Sequence, residues 1–310
     1  MNPKKILVLQ GGNNEEHEIS IATAKEVNIA LKKLGYFTEL LTVNPNSFIE
    51  DIKNYNPDCC FNALHGTFGE DGQIQKILFN LKIPYTHSGI RASYLGFNKE
   101  STKKEAIKIG ILTPEYEVLD KNDLNYNRLF KLFKKFGSFV IKPLKSGSSF
   151  GVRIIEKEEE IRKIINNLEY SELIIEKLIY GQELTVSVLT ENNNTTAIEV
   201  TEIKSNNKFF DYSAKYTKGK SQHILPASVP KDIYNQCLEN ARNIHISLDC
   251  NGVTRSDFIY DKINNKLNFI EINTQPGLTP ISLVPEQLKY RGKDFTNLIQ
   301  VLVDQARCQE

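Results

Sequence analysis

The sequence predicts an α/β protein: an open parallel sheet first, then two units of mixed strands and helices. Three observations lead there. Apolar runs alternate with helix-spaced segments through residues 1–98, the pattern of parallel strands joined by crossover helices. After Pro84 the pattern changes to strands flanking short loops and charged helices, over 99–180. From 181 to 310 the chain is mostly strand-like, interrupted by one long helix at 231–247.

Taken in order, residues 5–10 (KILVLQ) form a short apolar run that ends at Gly11-Gly12, a buried strand entering a turn. Apolar residues over 19–34 recur at mostly helical spacing, and Gly35 is a stop signal. Strands follow at 37–43 and 58–64, the second opening onto the loop 65–72. Residues 73–81 place Ile74, Ile77, Leu78 and Leu81 on one helical face. Ligands of open α/β sheets sit beyond the carboxyl ends of the strands. The loops 11–18 and 65–72 lie at such ends, so position alone marks 1–98 as a substrate-holding domain.

In the middle part a helix at 99–109 is stopped by Gly110 and Pro114. Strands at 139–144 and 152–156 flank a small-residue loop, and a charged amphipathic helix (157–168) precedes a strand at 173–179. The last part has strands at 184–189, 197–203, 252–260 and 266–272, with Asn264-Asn265 suited to a hairpin turn. The polar stretch 205–227 is long for a loop in a compact domain, which marks function or disorder.

The 310 residues are more than one compact domain usually holds, which favours two or three. The formal charge of +1, from 39 basic and 38 acidic residues, argues against a general nucleic-acid or membrane-surface binder, because both need a field of one sign. No run approaches the ~18 apolar residues of a membrane span, and the run after the N-terminus is too short for a signal-peptide core. A cytoplasmic location is expected. The five cysteines show no metal-ligand spacing and are expected to be reduced. Cys59 and Cys60 are adjacent on a strand, so at most one of them is expected to look inward.

Five constellations carry chemistry. In RSDFIY, Arg255 and Asp257 share one strand face; in FIEIN, Glu271 and Asn273 do the same. A hairpin joining the two strands gathers two carboxylates, an amide oxygen and a guanidinium; the oxygen groups are hard ligands of the kind Mg²⁺ takes together with nucleotide phosphates. KPLKSGSSFG, from Lys142 to Gly151, is not a Walker A loop, but its backbone amides could cover phosphates and Lys142 could reach one. IEKLI, followed by Glu183, offers a strand edge for a base and a carboxylate for ribose hydroxyls. HGTFGEDG and Glu16 sit at strand ends of the first domain, with glycines that permit close backbone approach. DYSAKY lies in the long polar stretch and could form a lid.

QGGNNEEHEIS, ALHGTFGEDG, IKPLKSGSSFGV, EKLIYGQELTV, DYSAKY and EINTQPGLTPISLVP occur in that order. Together they resemble the bacterial D-alanine–D-alanine ligases of the ATP-grasp superfamily, over essentially the whole chain. The resemblance implies an ATP-grasp fold preceded by a Rossmann-like (preATP-grasp) domain. It implies that ATP is a substrate, that two Mg²⁺ or Mn²⁺ ions take part, that two D-alanine molecules are joined for peptidoglycan precursor synthesis, and that the protein is a homodimer. By the same resemblance Lys99, Lys142, Ser148 and Ser149 would contact ATP phosphates, and Glu176, Lys177, Ile179 and Glu183 would hold adenine and ribose. Asp257, Glu271 and Asn273 would bind the metals. Glu16 would hold the first D-alanine's ammonium, with His65 nearby. Arg255 and the Gly277 amide would form the oxyanion site, and Ser282 with Leu283 would hold the second carboxylate. Lys215 would assist the transferred phosphate or that carboxylate, and Glu16, Ser148 and Tyr216 would form a hydrogen-bonded set. Tyr216 favours an amine nucleophile over a hydroxy acid; D-serine and D-lactate remain alternative second substrates. Gln275 and Phe210 depart from the commonest family residues at positions given no role.

Overall fold

The computed structural model describes residues 4–165, 170–205 and 221–310. Its first sheet is three parallel strands, β1 (Lys5–Gly11), β2 (Phe37–Val43) and β3 (Cys59–Asn62), in the order β2-β1-β3. A parallel sheet has to be covered on both faces, and this one is. Helix α1 (His17–Lys33) packs Ala24, Val27 and Leu31 against Ile6, Val8 and Cys59. On the other face α2 (Phe48–Tyr55) and α3 (Gln73–Asn80) pack Phe48, Ile52, Ile74 and Leu78 against Leu7, Leu9 and Cys60. The expectation for the cysteine pair is thereby corrected: both are fully buried, because each of the two faces has its own core. Burial pushes the Cys59 thiol up to about 12, which keeps it protonated.

The second sheet is antiparallel, in the order β4-β7-β5-β6, from β4 (Tyr116–Asp120), β5 (Phe139–Pro143), β6 (Arg153–Ile155) and β7 (Glu172–Lys177). Helices α6 (Tyr126–Phe136) and α7 (Glu158–Ile165) cover one face, burying Leu129, Leu132 and Ile161 against Phe139, Ile141 and Leu173. Strand alternation turns Val140, Lys142 and Glu176 to the opposite face.

The third sheet has five antiparallel strands, β8 (Gln182–Glu191), β9 (Asn194–Ser205), β10 (Ser221–Ile224), β11 (Val253–Asp261) and β12 (Lys266–Asn273), in the order β10-β9-β8-β11-β12. Helix α8 (Lys231–Ser247) closes its back, setting Ile233, Cys237 and Ile244 against Val186, Val200 and Phe269. Part of the polar stretch is therefore strand, since β10 pairs with β9; residues 206–220, which include Phe210, Lys215 and Tyr216, lie outside the described residues.

Two helices sit between the sheets. Helix α4 (Ile90–Phe97) and helix α5 (Lys99–Lys108) contribute Ala92 and Ala106 to the third sheet's core, while the lysines of α5 reach the second sheet. At the end of the chain come α9 (Leu283–Tyr290) and α10 (Phe295–Asp304), and α10 returns to cover α1 with Leu298 and Leu302. The sequence pattern assigned no element to 48–55, 90–97, 126–136, 283–290 or 295–304. Most of these helices make only two or three turns, too few for periodicity to stand out from its surroundings. Among the described residues no helix is long and apolar enough to cross a membrane.

Candidate active site

The hairpin of β11 and β12 works because of one irregularity. Counted back from its turn, Asp261 pairs with Lys266 and Phe258 with Phe269, so a regular ladder would set Asp257 opposite Ile270. Instead Ile270 is an extra residue, and Asp257 pairs with Glu271 and Arg255 with Asn273. A one-residue slip moves side chains to the other face. The bulge is thus what puts the two carboxylates, the amide and the guanidinium side by side. The Arg255 guanidinium donates to both oxygens of Asp257 at 2.9 and 2.8 Å, and Thr185 on β8 donates to Asp257 Oδ1 at 2.6 Å. Lys99 Nζ lies 3.6 Å from Glu271. The Asn273 side-chain oxygen accepts the Gln275 N–H at 2.9 Å.

A cleft runs between the second and third sheets. Val140, Ile154, Leu178, Ile179, Leu184 and Phe258 make its apolar end, with Glu183 beside them. Lys99, Lys142, Asp257 and Glu271 stand at its polar end, where Ser146, Gly147 and Ser149 of the small-residue loop also line it. Lys99 opens α5, whose N-cap Asn98 accepts from the Ser101 N–H at 3.1 Å; its Nζ donates to the Ser146 carbonyl at 2.5 Å. Ser148 and Ser149 both lie in the left-handed region, at φ 48 and 60°, a conformation non-glycine residues adopt only where the surroundings impose it. Glu176 is not on the cleft wall. Its buried carboxylate takes Lys142 Nζ on Oε2 at 2.6 Å and Lys103 Nζ on Oε1 at 3.0 Å. Lys177 is half-buried and also not among the lining residues.

A second, polar pocket adjoins the first. Glu16, His65, Glu70, Ser148, Arg255, Asn273 and Gly277 line it, and it shares Lys99, Ser146, Gly147 and Glu271 with the cleft. Ser148 donates its hydroxyl to Glu16 Oε1. A Cβ on either Gly66 or Gly147 would stand 2.8 Å from Glu16 Oε2, so both glycines are what leave room for this carboxylate. His65 Nδ1 pairs with Glu70 Oε1 at 3.2 Å, and its Nε2 with Thr23 Oγ1 at 3.1 Å. Burial alone would lower the imidazole pKa, but the Glu70 carboxylate, with Glu16 beyond it, carries it above its ordinary value. Burial in turn raises the Glu70 carboxyl against the pull of His65.

Beyond the hairpin, Ser282 caps α9 in sequence but turns its hydroxyl back to accept from the Thr279 N–H at 3.1 Å. A Cβ on Gly277 would meet that oxygen at 3.1 Å. Leu283, at the first turn of α9, leaves helix amides suited to an anion. Gln275, given no role by the motif pattern, donates its side-chain amide to the Leu64 carbonyl, tying this segment to the strand end before His65. Glu70, Thr185 and Gln275 were thus missed as site-forming residues. Only Glu70 had a sequence signal, its place five residues after His65 in a glycine-rich loop.

The family profile described as D-ala D-ala ligase C-terminus matches residues 106–304. The D-alanine–D-alanine ligase of Pelagibacter ubique (strain HTCC1062) is 41% identical over 306 residues, covering 98% of each chain. The crystal structure of D-alanine–D-alanine ligase from Bacillus anthracis complexed with ATP superposes with a TM-score of 0.82 at 30% identity, covering 98% of this chain and 97% of that one. VanG D-Ala:D-Ser ligase from Enterococcus faecalis superposes at 0.80 with 25% identity, covering 98% and 99%. With a profile that spans more than half of its length and a relative this similar from end to end, this chain belongs to the D-alanine–D-alanine ligase family.

Proposed function

We propose that this protein joins two D-alanine molecules into D-alanyl-D-alanine, using ATP, through a D-alanyl phosphate, and so supplies peptidoglycan precursor synthesis in the cytoplasm as a homodimer. The observation that carries this is the common wall of the two pockets: Lys99, Ser146, Gly147 and Glu271 face both an apolar-ended cleft and a polar pocket. A nucleotide in the first would bring its γ-phosphate to the wall against which a carboxylate substrate in the second must lie.

A carboxylate is a poor electrophile, and phosphorylation supplies a leaving group. Glu16 holds the first D-alanine's ammonium, and Ser148 fixes Glu16 from the phosphate loop. Lys99 and Lys142 bear on the phosphates, offsetting charge on the transferred group. Ile179 and Glu183 take the adenosine end. Asp257, Glu271 and Asn273 would hold Mg²⁺ or Mn²⁺, since they are hard oxygen donors on one face of the hairpin. Such ions would supply charge neutralisation for the phosphoryl transfer. Arg255 and the Gly277 amide would stabilise the tetrahedral oxyanion formed when the second amine attacks, a class of contact worth roughly 3–4 kcal/mol per donor. Ser282 and the first turn of α9 receive the second carboxylate. Lys215 and Tyr216 lie outside the described residues and keep the roles the resemblance implies, Lys215 at the transferred phosphate or the second carboxylate and Tyr216 in the set with Glu16 and Ser148.

Incubation with ATP and Mg²⁺ alongside D-alanine, L-alanine, D-serine or D-lactate tests the proposal. Phosphate release is expected with D-alanine, and mass spectrometry should find D-alanyl-D-alanine. Silence with D-alanine alone would overturn it, and a mixed product with D-serine would move the chain to the specificity of the VanG type. Gly147→Ala is expected to displace Glu16 and raise KM for D-alanine about tenfold, ~1.4 kcal/mol. Steady-state kinetics at saturating ATP checks this.

A further inference from the structure

Lys103 has no part in the chemistry above. It is fully buried on α5, one helical turn beyond Lys99, with its ammonium 3.0 Å from Glu176 Oε1 and 5.9 Å from the centre of the Tyr116 ring. Glu176 Oε2 accepts from Lys142 at 2.6 Å. One carboxylate therefore bridges two ammonium groups, of which Lys142 lines the nucleotide cleft and Lys103 is sealed behind it. Lysine is almost never fully buried without reason, since desolvation of its charge is costly. Burial lowers the Lys103 pKa, with Glu176 opposing. Burial would likewise raise the Glu176 carboxyl, but Lys103 and Lys142 together hold it below its ordinary value.

We propose that Lys103 is a positioning residue of the nucleotide site, which neutralises Glu176 from behind so that Lys142 can turn from Glu176 to a phosphate. Two ammonium groups to one carboxylate leave one net positive charge in a place with little water to screen it. Without Lys103, Glu176 and Lys142 become a one-to-one pair in a low-dielectric setting. A phosphate then has to take Lys142 away from a buried carboxylate that no other cation among the described residues neutralises, and the bared carboxylate repels the phosphate itself. A lysine that merely cross-links α5 to the second sheet would support the fold and leave the nucleotide preference alone. The role assigned to Lys103 rests on the phosphate contact proposed for Lys142.

The test is the KM for ATP and for D-alanine in Lys103→Met, Glu176→Gln, the double variant K103M/E176Q and Lys142→Met, with melting temperatures alongside. Lys103→Met is expected to raise KM for ATP about tenfold or more while KM for D-alanine moves less than about twofold. The double variant has no unpaired buried carboxylate, and it is expected to return KM for ATP to within about threefold of the wild type. An unchanged KM for ATP in Lys103→Met, or a double variant as weak as the single one, would overturn the role. If Lys103→Met does not fold, Lys103→Gln is measured in its place on the same thresholds. If Lys142→Met leaves ATP binding intact, the nucleotide site itself is misassigned. If Lys142→Met weakens ATP and Lys103→Met does not, only the Lys103 role falls.

Discussion

Glu271→Gln is expected to abolish turnover, lowering kcat by roughly three orders of magnitude, about 4 kcal/mol at the transition state, while the protein stays folded. Both halves follow from its position. Glu271 stands on the wall shared by the two pockets, opposite Asp257, at the point where phosphoryl transfer would take place. Gln keeps the shape but gives up the charge that a divalent cation requires. The fold gains little from this carboxylate: its side chain is 30% exposed and its pairing with Lys99 spans 3.6 Å, and a partly solvated pair of this kind contributes no more than about 1 kcal/mol. A melting temperature within a few degrees of the wild type, with no phosphate release, is the expected result. A variant that still turns over at a tenth of the wild-type rate would remove Glu271 from the metal site.

Arg255→Met is expected to lower kcat by about 10²–10³-fold, in line with the loss of one oxyanion donor, with a much smaller change in KM for ATP. Arg255 is held in plane by Asp257, which takes both its Nε and its terminal nitrogen. Thr185 fixes Asp257 from the neighbouring strand. The guanidinium is therefore pre-oriented on the face that meets the polar pocket, and its effect should fall on the step in which negative charge develops. Single-turnover experiments separate the two half-reactions: dipeptide formation is expected to slow far more than acylphosphate formation. Equal slowing of both would place Arg255 on the phosphoryl group instead.

How much of this was legible in the chain varies residue by residue. Glu16 and His65 were found because they follow β-strands in a parallel sheet, and topology puts ligands at those ends. The loop proposed for the phosphates was singled out because its small residues lie between two strands. Glu176 was legible as part of a motif, but not in its geometry: the side chain faces two lysines rather than the cleft. Lys103 was not legible at all. In KESTKKEAIK a lysine reads as part of a solvated helix face, and only the packing of α5 between two sheets seals it in. Tyr216 and Lys215 lie outside the described residues and stay with the motif that proposed them.

By itself the sequence determined the alternation of strand and helix that makes the first sheet parallel, the loops at its ligand-binding ends, and the residue types a phosphate and metal site requires. These are local properties, written in periodicity, glycine placement and the two-residue repeat of a strand. Tertiary structure alone decided the rest. It set the register of the β11–β12 hairpin, where the extra residue Ile270 brings Glu271 opposite Asp257. It buried both Cys59 and Cys60, each in a separate core. It also placed Lys103 against Glu176. Each of these depends on which element packs on which, a matter of contacts between residues far apart in the chain, and no local pattern encodes it.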